Sequence, residues 1–240
     1  MVKKYLKYKN MNKIKKYSIA ISFLFLIFFS GNIFAYKFEF ITVSDVVNET
    51  KKKYSSLKSY QANFTIISDK GGKKVTQTGV LKFKSSDKLL MDFTSPSRQK
   101  IVSDGKMMWV YLPSMNVVAE QDLTSESGLF ASGSAAGLNR LFSKYHYRFA
   151  SKEEPETMKD GSKQYTLVLK QKETRGGYKT INLWISEDYF IKRAEGFTSS
   201  GKKIEITLSD IKIDVDHPNA IFKFDVPGAR IIKNPMLSEE

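Results

Sequence analysis

Cysteine is missing from all 240 residues of the chain. Its absence excludes disulfide bonds, thiol nucleophiles, thiolate metal sites and iron–sulfur clusters. It also excludes the lipidated cysteine that a lipoprotein signal requires, so we do not expect the protein itself to be a lipoprotein. Any chemistry must come from other side chains.

Histidine is almost as scarce, because His146 and His217 are the only two. Neither stands in a His/Asp/Glu spacing typical of a metal site, and both are expected to be structural. No nucleophile elbow or glycine-rich phosphate loop follows a strand. Three glutamates, Glu153, Glu154 and Glu156, cluster beside Pro155 with Lys152 and Lys159 close by, as in a solvated loop rather than a general acid and base pair. The sequence therefore predicts no catalytic residue, metal or cofactor, and no enzyme.

Long apolar runs are also rare, and the one from Ile19 to Phe29 is shorter than the roughly 20 residues of a spanning helix. Residues 1–35 hold seven lysines and no acid, which together with this run is typical of a secretory signal peptide. We expect cleavage after Ala35, export to the periplasm, and one domain from residue 36 to 240. An uncleaved anchor is the alternative, because Ile33 stands where a small residue is preferred.

The positive charge falls by half if the signal peptide is removed. Taking the seven lysines of residues 1–35 from the formal net charge of +14 leaves +7. The remaining lysines occupy strand faces and turns without a nucleic-acid-binding signature, so no nucleic acid partner is expected. Solvated strand faces explain them, and a weak preference for anionic lipid surfaces or acidic partners stays open.

Hydrophobic periodicity predicts a mainly β protein with two helical pieces. Helical spacing runs from Ser44 to about Leu57, after a capping box of Thr42 and Asp45. From Ser59 the period changes to two. Strands then recur at short intervals, including 203–208, 211–215 and 221–226, and a second short helix is marked by Leu138, Leu141, Phe142 and Tyr145. Ten to twelve strands in meander order predict a large, strongly curved sheet whose concave face the helices cover.

Large apolar side chains are abundant, with 17 Phe, 12 Tyr, 8 Met and 2 Trp. A single curved sheet offers more inward apolar surface than two short helices can cover, which favours a cavity. An ordinary packed core is the alternative that composition leaves open.

Several blocks of sequence point to a known family. Residues 79–112 read GVLKFKSSDKLLMDFTSPSRQKIVSDGKMMWVYL, and the block from Val102 to Pro113 is VSDGKMMWVYLP. Two further blocks are KSYQANF, from Lys58 to Phe64, and IFKFDVPGA, from Ile221 to Ala229. Together they resemble the outer-membrane lipoprotein carrier family, LolA, over nearly all of residues 36–240.

This resemblance implies an incomplete antiparallel barrel of about 11 strands with a helical lid over a concave apolar face. It also implies a monomeric periplasmic carrier, or chaperone, that binds the acyl chains of lipoproteins released from the inner membrane and delivers them to the outer membrane. The implied partners are acylated lipoproteins, an inner-membrane ABC transporter that releases them and, as an open alternative, an outer-membrane acceptor.

The larger inward members of the strands and lid are the candidate lipid-binding residues. They are Phe64, Leu81, Phe83, Leu89, Met91, Phe93, Trp109, Leu138, Leu141 and Phe142. For each of them, packing in an ordinary core is the alternative.

One position departs from the family's pattern. In the family an Arg-Pro pair precedes the strand that continues here as Leu89, and that Arg latches the lid. The ungapped match places Ser85 and Ser86 at those two positions. A serine could bond a lid carbonyl only more weakly, so we expect a lid that opens more easily or closes differently.

A second function class stays open. An envelope-stress sensor, or a lipid- or lipoprotein-binding interaction module, can be built on the same half-barrel. Such regulators usually carry a second C-terminal domain, whereas this chain ends about 14 residues after Val226, so the carrier is the preferred expectation.

Overall fold

A curved β-sheet and two helices make up the fold in the computed structural model, which describes residues 40–123, 133–152, 154–173 and 177–233. The helices are α1 (Val43–Ser56) and α2 (Ala135–Lys144). The strands are β1 (Ser59–Lys70), β2 (Lys73–Lys84), β3 (Lys88–Ser95), β4 (Lys100–Asp104), β5 (Met107–Leu112), β6 (Val117–Asp122), β7 (Tyr145–Phe149), β8 (Glu156–Thr157), β9 (Lys163–Gln171), β10 (Tyr178–Ser186), β11 (Ile191–Thr198), β12 (Lys203–Ile213) and β13 (Arg230–Lys233). The predicted signal peptide, with its cleavage after Ala35, lies outside the described residues.

All 13 strands belong to one open sheet. Their order is β13-β6-β5-β4-β3-β2-β1-β12-β11-β10-β9-β7, with β8 paired to β9. Neighbours are antiparallel except β13, which runs parallel to β6. The predicted fold class, an incomplete curved barrel with a helical lid, is confirmed, with 13 strands where about 11 were expected.

Helix α1 begins where its sequence predicts. The Thr42 hydroxyl accepts from the Asp45 backbone N–H at 3.2 Å, and the Asp45 carboxylate accepts from the Thr42 N–H at 2.9 Å. This capping box satisfies N–H groups that the first turn leaves free. The helix then buries Val46, Val47, Thr50 and Tyr54. No helix among the described residues is long and apolar enough to cross a membrane.

Strand β12 corrects one prediction. Residues 203–208 and 211–215 were expected to be two strands, but Lys203–Ile213 is continuous. Asp210 has a φ of +50° and lies opposite a register shift between Gln61 and Asn63 of β1. The Asn63 amide donates to the Asp210 carboxylate at 2.8 Å. Ser209 and Asp210, which separated the two predicted strands, therefore form a bulge inside one strand.

The predicted strand 221–226 is wrong. Its first residues belong to a 3-10 turn, Asn219–Phe222, and the segment lies over the outer face of the sheet. Phe222 is buried against Leu90, and Phe224 stacks on Trp109 with 5.9 Å between ring centroids. An extended segment that packs on a sheet has the same alternation of apolar and polar residues as a strand. The pattern alone therefore could not distinguish the two. The chain then adds β13, which was not predicted.

Candidate functional site

The inner face of the sheet and the two helices enclose one large apolar cluster. Nine of the ten predicted lipid-binding residues are buried members of it: Phe64, Leu81, Phe83, Leu89, Met91, Phe93, Leu138, Leu141 and Phe142. Each exposes 8% of its surface or less. The strand members share a face because side chains two residues apart on a strand point the same way.

Trp109 is the tenth residue, and the structure places it elsewhere. Its neighbours in β5, Met108 and Val110, pack into the inner cluster, so Trp109 points to the outer face. There it contacts a second, smaller cluster and stacks on Phe224. The expectation that Trp109 lies with the other nine is wrong, because β5 is apolar on both faces and alternation cannot tell them apart.

Aromatic rings fill much of the inner cluster. Phe64 and Phe93 meet edge to face with 4.9 Å between centroids, and Tyr60 stacks on Phe83 at 5.1 Å. Gly79 makes room for this packing, since a Cβ there would come within 2.6 Å of the Phe64 ring and 2.2 Å of the Asp92 carbonyl oxygen. The inner face at β1–β3 is therefore closely packed.

A small cavity of about 40 Å³ remains under the helices. Its lining includes Leu81, Leu89 and Met91 from the predicted set. It also includes residues that sequence reasoning missed, among them Ile191, Ala194, Ile206 and Leu208 of β11 and β12. Alternation marks Ile206 and Leu208 along β12, whereas Ile191 and Ala194 are three residues apart, where the pairing of β10 with β11 shifts register.

Tyr54 fastens helix α1 to the sheet. Its hydroxyl accepts from the Ile191 backbone N–H at 3.2 Å, and its ring lies 5.1 Å from that of Phe190. Lys53 adds an ion pair with Asp188, with 3.8 Å between nitrogen and oxygen. Burial raises the pKa of Tyr54 well above its usual value, so its hydroxyl stays protonated at physiological pH.

Tyr60 makes the corresponding contact with the segment that enters helix α2. Its hydroxyl donates to the Gly133 carbonyl oxygen at 3.1 Å. Burial raises the pKa of Tyr60 above its ordinary value, so the hydroxyl remains a donor in alkaline solution as well as at neutral pH. Helix α2 begins two residues later, with the Ser134 hydroxyl accepting from the Gly137 N–H at 3.1 Å.

Ser85, the predicted latch position, is exposed in the turn between β2 and β3. Its backbone N–H donates to the Lys58 carbonyl at 2.7 Å. In the described part of the chain, its hydroxyl has no hydrogen-bond partner. Among the described residues, the Tyr60 hydroxyl bonds the segment that enters the lid helix, and a contact between residues 60 and 133 has no local sequence signal.

The two histidines stand apart from the inner cluster. His217 is buried, and its Nε2 lies 3.3 Å from the Tyr60 carbonyl oxygen, whereas His146 is exposed on β7. Among the described residues, no group of three or more His, Asp or Glu side chains is placed to hold a metal ion. The arrangement is suited to enclosing an apolar ligand.

Comparisons with known proteins give the family and the fold. The family described as outer membrane lipoprotein carrier protein LolA matches residues 55–225. An outer-membrane lipoprotein carrier protein of Chromohalobacter salexigens is 28% identical over 188 residues, which cover 74% of this chain and 82% of the relative. One of Francisella philomiragia is 23% identical over 201 residues, with coverage of 81% and 90%. An uncharacterized conserved protein from Thermus thermophilus shares the fold at 14% identity, with a TM-score of 0.52 and coverage of 79% and 98%.

Proposed function

The chain belongs to the LolA family of outer membrane lipoprotein carrier proteins, and from that premise we propose that it is a periplasmic carrier of lipoprotein acyl chains. It takes lipoproteins from an inner-membrane ABC transporter and delivers them to the outer membrane. It acts by binding and release, without catalysis.

The observation that carries this proposal is the inner apolar cluster. Nine residues chosen from the sequence as lipid-binding meet there under two helices. We propose these nine, together with Ile191, Ala194, Ile206 and Leu208 of the cavity wall, as the lining of the acyl-chain site. Trp109 is left out because it faces the other side of the sheet.

The size of the cavity supports a lid that moves. A cavity of about 40 Å³ has room for a few water molecules but not for an acyl chain. Burying a chain of about 16 carbons is worth on the order of 12 kcal/mol, which is enough to displace side chains and a short helix. The closing of the helices over the sheet opposes cargo binding, and this opposition lets a membrane take the cargo back.

The moving part is helix α2. Its entry is tied to the sheet by the Tyr60 hydroxyl at Gly133, a single neutral hydrogen bond. Such a bond contributes about 1 kcal/mol. We propose that it closes the lid in the place of the bond from the family's Arg, with Ser85 taking no part.

The N-terminal segment is proposed to be a signal peptide that is cleaved after Ala35. Residues 36–240 are then the mature carrier, which acts as a monomer. The proposed cleavage is supported by the lysine-rich start and short apolar run of residues 1–35.

Native mass spectrometry tests the proposal. The full chain is expressed with export, purified from the periplasmic fraction and mixed with a triacylated lipoprotein or with the same protein lacking its lipid. A one-to-one complex with the acylated form alone is expected. The mass of the free carrier reports cleavage in the same spectrum.

Equal binding of the acylated and the lipid-free protein would contradict the carrier proposal. It would favour an interaction module that recognises polypeptide. An unprocessed mass would contradict cleavage after Ala35 and leave the carrier proposal standing.

A further inference from the structure

Three hairpin tips lie side by side at one end of the sheet. β1 and β2 join through residues 71 and 72, and the pairing of Asp69 with Lys203 sets this tip beside the one between β11 and β12. The pairing of Tyr178 with Thr198 adds the β9–β10 tip. Helix α2 also ends here, at Lys144, because Tyr145 pairs with Gln171.

Exposed lysines gather at this end, which we name the basic end. They are Lys70, Lys73, Lys74, Lys144, Lys170, Lys172 and Lys179. Within the described parts of the chain, none of the seven forms an ion pair. The acids of the three tips are Asp69, whose carboxylate accepts from the Gly72 N–H at 3.0 Å, and Glu173. The basic end is therefore strongly positive.

The opposite ends of the same strands have a different charge. Asp87 lies in the β2–β3 turn, Glu187 and Asp188 lie between β10 and β11, and Asp214 and Asp216 follow β12. The lysines there are mixed with these acids, and some are held by neighbours: Lys84 is 3.9 Å from Asp216, and Lys88 donates to Asn219 at 3.2 Å. The charge along the strands is polarised.

Two apolar side chains are exposed among the lysines of the basic end. Val75, near the β1–β2 tip, is 56% exposed, and Phe197, near the β11–β12 tip, is 37% exposed. A nucleic acid would match the charge but not the exposed apolar groups, and an acidic protein would need apolar contacts of its own at two separate tips. An anionic bilayer matches both, because its headgroups attract lysines and its interface accepts apolar side chains.

We infer that the basic end docks on the surface of a bilayer containing anionic lipids. Each lysine near such a surface strengthens binding by roughly fivefold. Docking sets the C-terminal turn of helix α2 beside the membrane, where the Lys172 ammonium group already donates to the Ser143 carbonyl at 2.8 Å. The inference adds a membrane contact to the proposed carrier but does not need cargo.

Vesicle flotation without any lipoprotein tests this inference. The exported chain is mixed with vesicles of phosphatidylcholine alone or with added phosphatidylglycerol. We expect binding only to the anionic vesicles and release at high salt, because exposed charges are screened. The triple variant Lys70→Glu, Lys73→Glu and Lys74→Glu should bind at least 50-fold more weakly.

A matched variant makes the same change in net charge at the opposite end. Lys58, Lys106 and Lys212 are all exposed, and changing the three to Glu should weaken vesicle binding less than threefold. All variants share one N-terminus, so any contribution of residues 1–39 is common to them. The single change Val75→Ser should weaken binding three- to tenfold relative to the unchanged chain.

Two outcomes would overturn the inference. Equal losses in the two triple variants would mean that net charge, and not a docking surface, attracts the protein to lipid. Failure to float with anionic vesicles, as expected of a basic end that binds only an acidic protein, would also refute it. Loss of cargo binding leaves the inference untouched, because no cargo is present.

Discussion

Both faces of the sheet carry apolar clusters, but they are covered in different ways. The inner cluster is covered by two helices, and the outer cluster of Leu90, Val102 and Phe222 is covered by the segment that leads to β13. That segment is held along its length. Lys84 donates to the His217 carbonyl at 2.5 Å, and the Asn116 amide donates to the Gly228 carbonyl at 3.0 Å.

The difference indicates which cover can open. The outer segment continues into a strand that pairs with β6, so lifting it breaks a ladder of backbone bonds. Among the described residues, opening the entry to helix α2 breaks the bond between Tyr60 and Gly133 and the packing of Leu138, Leu141 and Phe142. Helix α2 is thus suited to open for the proposed cargo, whereas the segment that leads to β13 is suited to stabilise the sheet.

Leu89→Arg should give the largest effect. Leu89 is 8% exposed and lines the cavity, so an arginine places a charge where the acyl chain is proposed to lie. Burying an unpaired charge is costly, and we expect at least a 100-fold loss of affinity for an acylated lipoprotein. Titration with the lipoprotein, followed by native mass spectrometry, measures this loss.

Thr94→Arg is the matched control, because Thr94 is exposed on the same strand. It should bind cargo normally. Near-ultraviolet circular dichroism establishes that both variants are folded. Normal cargo binding by a folded Leu89→Arg protein would show that the inner cluster is only a core.

Trp109→Ala should affect stability and not cargo. The ring is partly buried on the outer face and stacks on Phe224, so its removal should lower the free energy of unfolding by about 2 kcal/mol. Cargo affinity should change less than twofold. Urea denaturation measures the first quantity and cargo titration the second.

Phe224→Ala provides the partner for a double-mutant cycle. Because the two rings touch, the losses from Trp109→Ala and Phe224→Ala should be less than additive. A loss of cargo affinity in the folded Trp109→Ala protein would contradict the proposal that only the inner face binds cargo.

The inner residues of the sheet could largely be predicted from the sequence. The side that Trp109 faces and the contact that ties down helix α2 could not. Alternation in β1 to β3 marks the inner residues because their outward neighbours include polar side chains such as Gln61 and Lys82. In β5 every residue is apolar, so the side that Trp109 faces depends on pairing with β4 and β6. The hydrogen bond from Tyr60 to Gly133 could not be predicted from the sequence, because it joins a strand to a backbone carbonyl 73 residues away.

Tyr60→Phe sharpens the comparison at the lid. It keeps the stacked ring and removes the hydroxyl that donates to Gly133. Losing about 1 kcal/mol should make helix α2 open roughly fivefold more often. Hydrogen exchange of the amides of α2, measured by mass spectrometry, reports this opening.

Tyr54→Phe is the matched change on the other helix. Its hydroxyl accepts from Ile191, so its loss should speed exchange in α1 and leave α2 near the unchanged rate. If Tyr60→Phe speeds exchange equally in both helices, the lid moves as one body and α2 has no separate role.

Thr50→Val should produce the smallest effect, with the opposite sign. The Thr50 hydroxyl is buried under α1 and has no hydrogen-bond partner among the described residues. Burying an unpaired hydroxyl costs about 1 kcal/mol or more, whereas a valine methyl of similar size costs nothing in lost hydrogen bonds. The variant should therefore unfold at a higher temperature, by differential scanning calorimetry. Because α2, and not α1, is the helix proposed to open, cargo affinity should change less than twofold. A more stable protein that also binds cargo more weakly would show that α1 moves with α2 when the site fills.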